Sequence, residues 1–175
     1  IQRETQISME DVEEALEEEY DAVMLKLDMP DDIIINTFKA AKARNIKVVL
    51  DMTPVRALPL GQLKGIDIIS PDEKAASALT SIEVNSFKTA SQAAKIFQAM
   101  YGSEHVVIRM GSKGAMAFDS CQFKQLPSCE TEEDVVDTKS TDDIFMPALT
   151  IEYVRSGDIE KATQFANHMV ADLSK

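Results

Sequence analysis

Short apolar runs and stretches of helical periodicity take turns along this chain. Residues 22–27 (AVMLKL) form an apolar run closed by Asp28, Met29 and Pro30, the pattern of a buried strand. Residues 31–44 then place Ile34, Ile35, Phe38 and Ala41 at helical spacing, with Asn45 as the stop. Lys47–Asp51 (KVVLD) reads as the next strand, ended by Thr53 and Pro54. Residues 66–69 read as a strand closed by Ser70 and Pro71, and residues 72–79 as a helix. A helix over 86–100 carries Ala90, Ala93, Ala94 and Phe97 on one face. Residues 106–110 predict a strand, 111–114 a turn, and 115–118 a strand with Gln122–Leu126 as its antiparallel partner. Two helices, 143–155 and 158–173, separated by Ser156 and Gly157, complete the pattern. Ahead of the first strand, Ser8 and Asp11 make a capping-box start for a helix running to about Glu19.

Strand and helix in this rhythm mean a mostly parallel sheet with helices on both faces, an α/β three-layer doubly wound fold. No internal repeat or interdomain linker interrupts it, so residues 1–175 are expected to form a single domain. Such a sheet binds ligands beyond the carboxyl ends of its strands, often at helix N-termini. That directs attention to the segments after Asp51, after Ser70, around Gly111 and before Asp143.

Composition narrows the function classes. With 175 residues, 45% hydrophobic and 27% charged, the chain reads as globular and large enough to bury a core. The formal net charge is −12, much of it in the run Glu10 to Asp21, and this argues against nucleic acid as a partner. No apolar run approaches bilayer length and no leader pattern opens the chain, so no membrane partner and a cytoplasmic location are expected. Cys121 and Cys129 lack a zinc spacing and read as reduced thiols, while His105 and His168 read as structural. The nine methionines read as core fillers.

The segment Val135-Val136-Asp137-Thr138-Lys139-Ser140-Thr141-Asp142-Asp143-Ile144-Phe145 resembles the signature of ribokinase-like (PfkB family) carbohydrate kinases, in which Asp-Thr precedes a small-residue turn ending Gly-Asp at a helix start. Four further segments fall in that family's order. Residues 22–30 resemble its central strand, 48–55 its next strand and proline-rich exit, 68–76 (IISPDEKAA) its Pro-Asn-x-x-Glu region, and 107–115 (VIRMGSKGA) its Leu-Gly-x-x-Gly nucleotide loop. The resemblance implies ATP-dependent phosphoryl transfer to a sugar hydroxyl, with ATP and Mg2+ and a monovalent cation as cofactors. It implies Asp143 as the catalytic base, facing the carboxyl ends of the strands from a helix N-terminus. Gly111, Gly114, Ser140, Thr141 and Asp142 would lie at the nucleotide and its anionic groups, Asp137 at the monovalent cation and Asp72 in the Mg2+ environment. A sugar and a nucleotide would be its small-molecule partners, and a homo-oligomer is compatible with it.

Plain structural roles stand beside each of these. Asp143 also fits a helix N-cap, Asp137 a solvated strand end, and Gly111 with Gly114 an ordinary hairpin turn. The departures from the family pattern weigh against turnover by this chain alone. Ala75 stands where the family has Glu, Arg109 where it often has Thr, and Ser140, Thr141 and Asp142 where it has small residues and Gly. Pro147 removes an amide near the expected helix start. Nothing matches the family's early Gly-Gly motif or its last segment near the adenine, so the chain is expected to be a partial fold lacking the lid region. A degenerate, non-catalytic relative with a binding or regulatory role is the alternative reading.

Overall fold

The computed structural model describes residues 7–129 and 138–173, apart from the side chains of residues 60, 138–140 and 173. Its sheet has six strands in sequence order: β1 (Ala22–Lys26), β2 (Lys47–Asp51), β3 (Ile68–Ser70), β4 (His105–Arg109), β5 (Ala115–Asp119) and β6 (Gln122–Leu126). Strands β1 to β4 pair in parallel, and β4–β5–β6 pair antiparallel. The helices are α1 (Met9–Ala15), α2 (Asp31–Ala43), α3 (Glu73–Thr80), α4 (Phe87–Tyr101), α5 (Thr138–Ser156) and α6 (Ile159–Leu173).

Three layers follow from where the apolar residues point. On one face Leu25, Val48, Leu50, Ile69, Val106 and Ile108 pack with Ile34, Phe38, Ala94 and Phe97 of α2 and α4. On the other, Val49, Ile68, Val107 and Ala117 pack against Phe145, Leu149, Ala162 and Ala166 of α5 and α6. Alternate residues of one strand face opposite ways, so β2 and β4 must be apolar throughout, as KVVLD and HVVIR nearly are. Because the strand order runs in sequence, the parallel crossovers carry α2, α3 and α4, and the C-terminal pair α5 and α6 supplies the other helical layer.

Helix starts agree with the chemistry of their caps. Ser8 and Asp11 complete the capping box of α1, Asp72 accepts from the Ala75 amide to cap α3, and Ser86 caps α4. Helix α1 stops at Ala15, short of Glu19, because Glu13, Glu14, Glu17, Glu18 and Glu19 crowd negative charge where the helix dipole favours cations. Helix α5 corrects a larger expectation. It begins at Thr138, so Asp143 lies in its second turn and is not its cap, and Pro147 lies mid-helix. Acidic residues suit the early turns of a helix as well as its cap, so the sequence signal misplaced the boundary by a turn and a half. Pro147 has no N–H to give the carbonyl four residues back, which is that of Asp143.

Candidate active site

The carboxyl ends of the four parallel strands gather the charged residues of interest along one edge. Lys26, Asp51, Ser70 and Arg109 are the last residues of β1 to β4 in turn. Arg109 is the hub. Its Nη2 donates to Asp51 Oδ1 at 2.8 Å and to the Ser70 carbonyl at 3.2 Å. Its Nη1 lies 2.8 Å from Asp142 Oδ1 on α5, close enough for an ion pair but without hydrogen-bond alignment. Side-chain exposure falls from 29% at Asp142 to 6% at Arg109 and 1% at Asp51. Asp51 Oδ1 also accepts from the Thr53 amide and hydroxyl, which fixes it at the strand end.

One guanidinium therefore serves two carboxylates. Burial pushes the Asp142 carboxyl above the usual carboxylate range; the Arg109 charge opposes this, and Asp51 and Asp72 reinforce it. The more buried Asp51 makes the aligned bond, and Asp142 is the surplus negative charge.

Three recesses meet at Asp142. A cleft of about 580 Å³ is bounded by Lys26, Thr53, Asp72, Lys74, Asp142 and Asp143. A recess of about 200 Å³ lies between Asp72, Glu73, Lys74, Arg109, Gly111 and Asp142. A cavity of about 60 Å³ lies among Gly111, Gly114, Thr141, Asp142, Phe145 and Asn167. Asp143, 73% exposed, stands 3.6 Å from Lys26 Nζ at the wall of the largest cleft. Arg56 steadies the same rim by donating to the Leu27 and Met29 carbonyls and pairing with Asp31.

The residues marked by the sequence divide as follows. Asp143, Asp142, Thr141, Asp72, Gly111 and Gly114 come together at this edge. Asp137 and the side chain of Ser140 lie outside the described residues. Gly111 has φ +54 with open space beyond it, while Gly114 has φ +93 and its Cα packs directly on the backbone of residues 126–128. Gly114 thus has a packing reason for being glycine. Sequence reading missed the Asp51–Arg109–Asp142 triad, although each position was visible. Arg109 stood out as an unexpected cation after an apolar run, and only contact across the fold supplies its partners.

ATP and Mg2+, which the resemblance implies, set demands of size and charge on this edge. A nucleotide needs several hundred cubic ångströms, and the cavity beside Gly111 and Gly114 offers about 60. Lys113 is held by Glu73 at 2.8 Å, and Arg109 is held by Asp51 and Asp142. Among the described residues, no group of three or more His, Cys, Asp or Glu side chains is arranged to hold a metal ion. The 60 Å³ cavity does not by itself hold a nucleotide, and the 200 Å³ recess that also reaches Gly111 and Asp142 adjoins it.

Such a sheet edge, with an acidic residue on the covering helix and a glycine-bearing loop after β4, defines a ribokinase-like α/β fold. Residues 2–171 match the pfkB family carbohydrate kinases, and the chain belongs to that family. It is 32% identical over 148 residues to the ribokinase of Arabidopsis thaliana, covering 82% of this chain and 38% of that protein. It is also 32% identical over 149 residues to the bifunctional ribokinase/ribose-5-phosphate isomerase A of Fructilactobacillus sanfranciscensis, covering 85% of this chain and 27% of that one. The solved structure of Arabidopsis thaliana ribokinase complexed with ribose and ATP superposes with a TM-score of 0.81 at 29% identity, over 94% of this chain and 52% of that chain. This chain spans less than half the length of both curated relatives. No helix among the described residues is long and apolar enough to cross a membrane.

Proposed function

We propose that the protein carrying this chain is a carbohydrate kinase that transfers phosphate from ATP to a sugar hydroxyl, and that this transfer is weak or absent in this chain alone. The observation that carries the reading is the exposed Asp143 carboxylate on the wall of the 580 Å³ cleft at the strand ends. A cleft of that size, with Lys26, Asp28, Thr53, Asp72, Lys74 and Asp143 among its lining residues, can hold a sugar-sized ligand. A carboxylate in that position accepts the proton of a sugar hydroxyl as the oxygen becomes a nucleophile. Lys26 Nζ stands 3.6 Å from Asp143 Oδ1 at the same wall.

Asp142 is the reason to expect weak transfer, since it sets a negative charge where negative charge would have to be received. The same observation favours a second reading, a non-catalytic relative that binds a sugar or a regulatory ligand. ATP, Mg2+, a monovalent cation and the sugar itself belong to this proposal as inherited expectations.

The test is phosphate transfer from Mg–ATP to a panel of pentoses and hexoses by the full-length protein. Slow transfer is expected, raised at least about tenfold by Asp142→Gly. Adding Asp143→Asn in that background should remove on the order of 10²–10⁴ of the rate, as loss of a positioned base does. No transfer by either the natural protein or Asp142→Gly would leave the non-catalytic reading. Transfer unaffected by Asp143→Asn would refute the base.

A further inference from the structure

Arg109 has more donors than its partners use. Its side chain is more than nine-tenths buried, yet neither Nη1 nor Nε makes a hydrogen bond. Asp51 answers its charge from below with an aligned contact, so Asp142 is not needed for neutrality. Asp142 nevertheless rests its carboxylate against the remaining edge of the guanidinium, partly exposed and unaligned, where the three recesses meet. Guanidinium donates to carboxylate and phosphate oxygens in the same planar geometry. Lys74 borders two of these recesses and adds a second positive charge within the same space.

We infer that Asp142 is a built-in occupant of an anion site whose receptor is Arg109, and that a phosphate group binds there only when the Asp142 carboxylate leaves the guanidinium. The inference rests on reading this cleft as a phosphate-accepting site, and it concerns how that site is regulated. Asp142 holds the position closed in the resting chain. Opening requires a competitor stronger than an unaligned carboxylate, or removal of the carboxylate charge. Tight retention of Asp51 keeps Arg109 in place throughout, so the receptor does not collapse when Asp142 moves.

The experiment is titration of the full-length protein with inorganic phosphate and, in a second arm, glycerol 1-phosphate, at fixed ionic strength in chloride. Natural protein is compared with Asp142→Asn and Asp142→Ala, and the Arg109 Nε–H resonance is followed by NMR. Removing a like charge a few ångströms from a bound dianion should raise affinity at least about tenfold in both variants. The Arg109 resonance should move on phosphate addition in the variants and far less in the natural protein. A gain in the first arm marks a site for free phosphate, and a gain confined to the second marks a site for a monoester. Either supports the inference. Equal affinity, within about twofold, across all three proteins in both arms overturns it, as does a gain that leaves the Arg109 resonance unmoved. A phosphate gain without ATP-dependent transfer to any sugar would remove the kinase reading and leave the anion site standing.

Discussion

Replacing Arg109 with Met keeps most of the buried stem and removes the cation, which isolates the charge chemistry of the triad. Asp51, at 1% exposure, would keep its contacts from the Thr53 amide and hydroxyl and lose the guanidinium. Its second oxygen, Oδ2, already has no hydrogen-bond partner. Breaking one side of a buried pair costs about 3–5 kcal/mol, because an uncompensated charge remains behind. Against a total stability of roughly 5–15 kcal/mol this is a large fraction. Removing Asp142 by Asp142→Asn leaves the Arg109–Asp51 pair in place, so its cost should stay below about 1 kcal/mol. The asymmetry between the two ends of one triad is the prediction. Urea unfolding followed by far-UV circular dichroism measures it, at roughly 2 kcal/mol per molar urea for a domain of this size. Arg109→Met should move the midpoint down by about 1.5–2.5 M, and adding Asp51→Asn should recover at least about a third of that loss, since Asn can still accept from Thr53. If Asp142→Asn costs as much as Arg109→Met, Asp142 is a structural partner and the triad has been misjudged. If Arg109→Met costs less than about 1 kcal/mol, the buried pair is not what holds the strand ends together.

Two more expectations follow from other parts of the fold. A Cβ at position 114 would overlap the backbone of Leu126, Pro127 and Ser128 at φ +93, so Gly114→Ala should destabilise by more than about 2 kcal/mol, while Gly111→Ala, with open space around it, should cost about half that or less; equal costs in thermal melts would refute the packing account. At the amino edge of the sheet, buried His105 bonds through Nε2 to the Tyr153 hydroxyl at 3.1 Å, and burial holds the imidazole below its ordinary pKa, against the pull of Glu104 and Asp119. The Tyr153 hydroxyl beside it is pushed up to about 12, again mainly by burial. The unfolded chain then binds the His105 proton more readily than the folded one. Stability from this group is complete above about pH 6.5 and is lost as pH falls through the window below it. The midpoint difference between natural protein and His105→Gln should therefore shrink from pH 7.5 to 5.5, and a constant difference would refute it.

Most of the fold was legible because its signals are local. KVVLD and the Gln122–Leu126 strand are bounded in the structure as the sequence bounds them, since turn residues flank each segment. Asp72 and Ser86 announce α3 and α4 as N-caps. The failures are places where tertiary contact overrides local preference. Nothing within the sequence near Asp143 says that the helix already runs through it. Likewise, no spacing rule links Asp51, Arg109 and Asp142, which lie on β2, β4 and α5 and meet only when the layers close.

That meeting changes how the departures from the family pattern are weighed. Taken singly, Arg109 in place of a small hydroxyl residue puts a buried cation at the sheet edge, and Asp142 in place of glycine puts a carboxylate into an anion position. Asp142 alone would be costly for want of a cation, whereas Arg109 already has an anion in Asp51. Together, 2.8 Å apart, they offset one another, and with Asp51 they leave a net charge of one negative unit within the triad. Asp142 therefore depends on Arg109 while Arg109 does not depend on Asp142, and reverting either separately tests a different thing. Asp142→Gly frees an anion receptor that still carries a guanidinium and should gain phosphate affinity. Arg109→Thr instead strands two carboxylates beside each other and should lose stability without gaining affinity. A protein in which Arg109→Thr binds phosphate better than Asp142→Gly does would show that Arg109 blocks the site and that Asp142 only accompanies it.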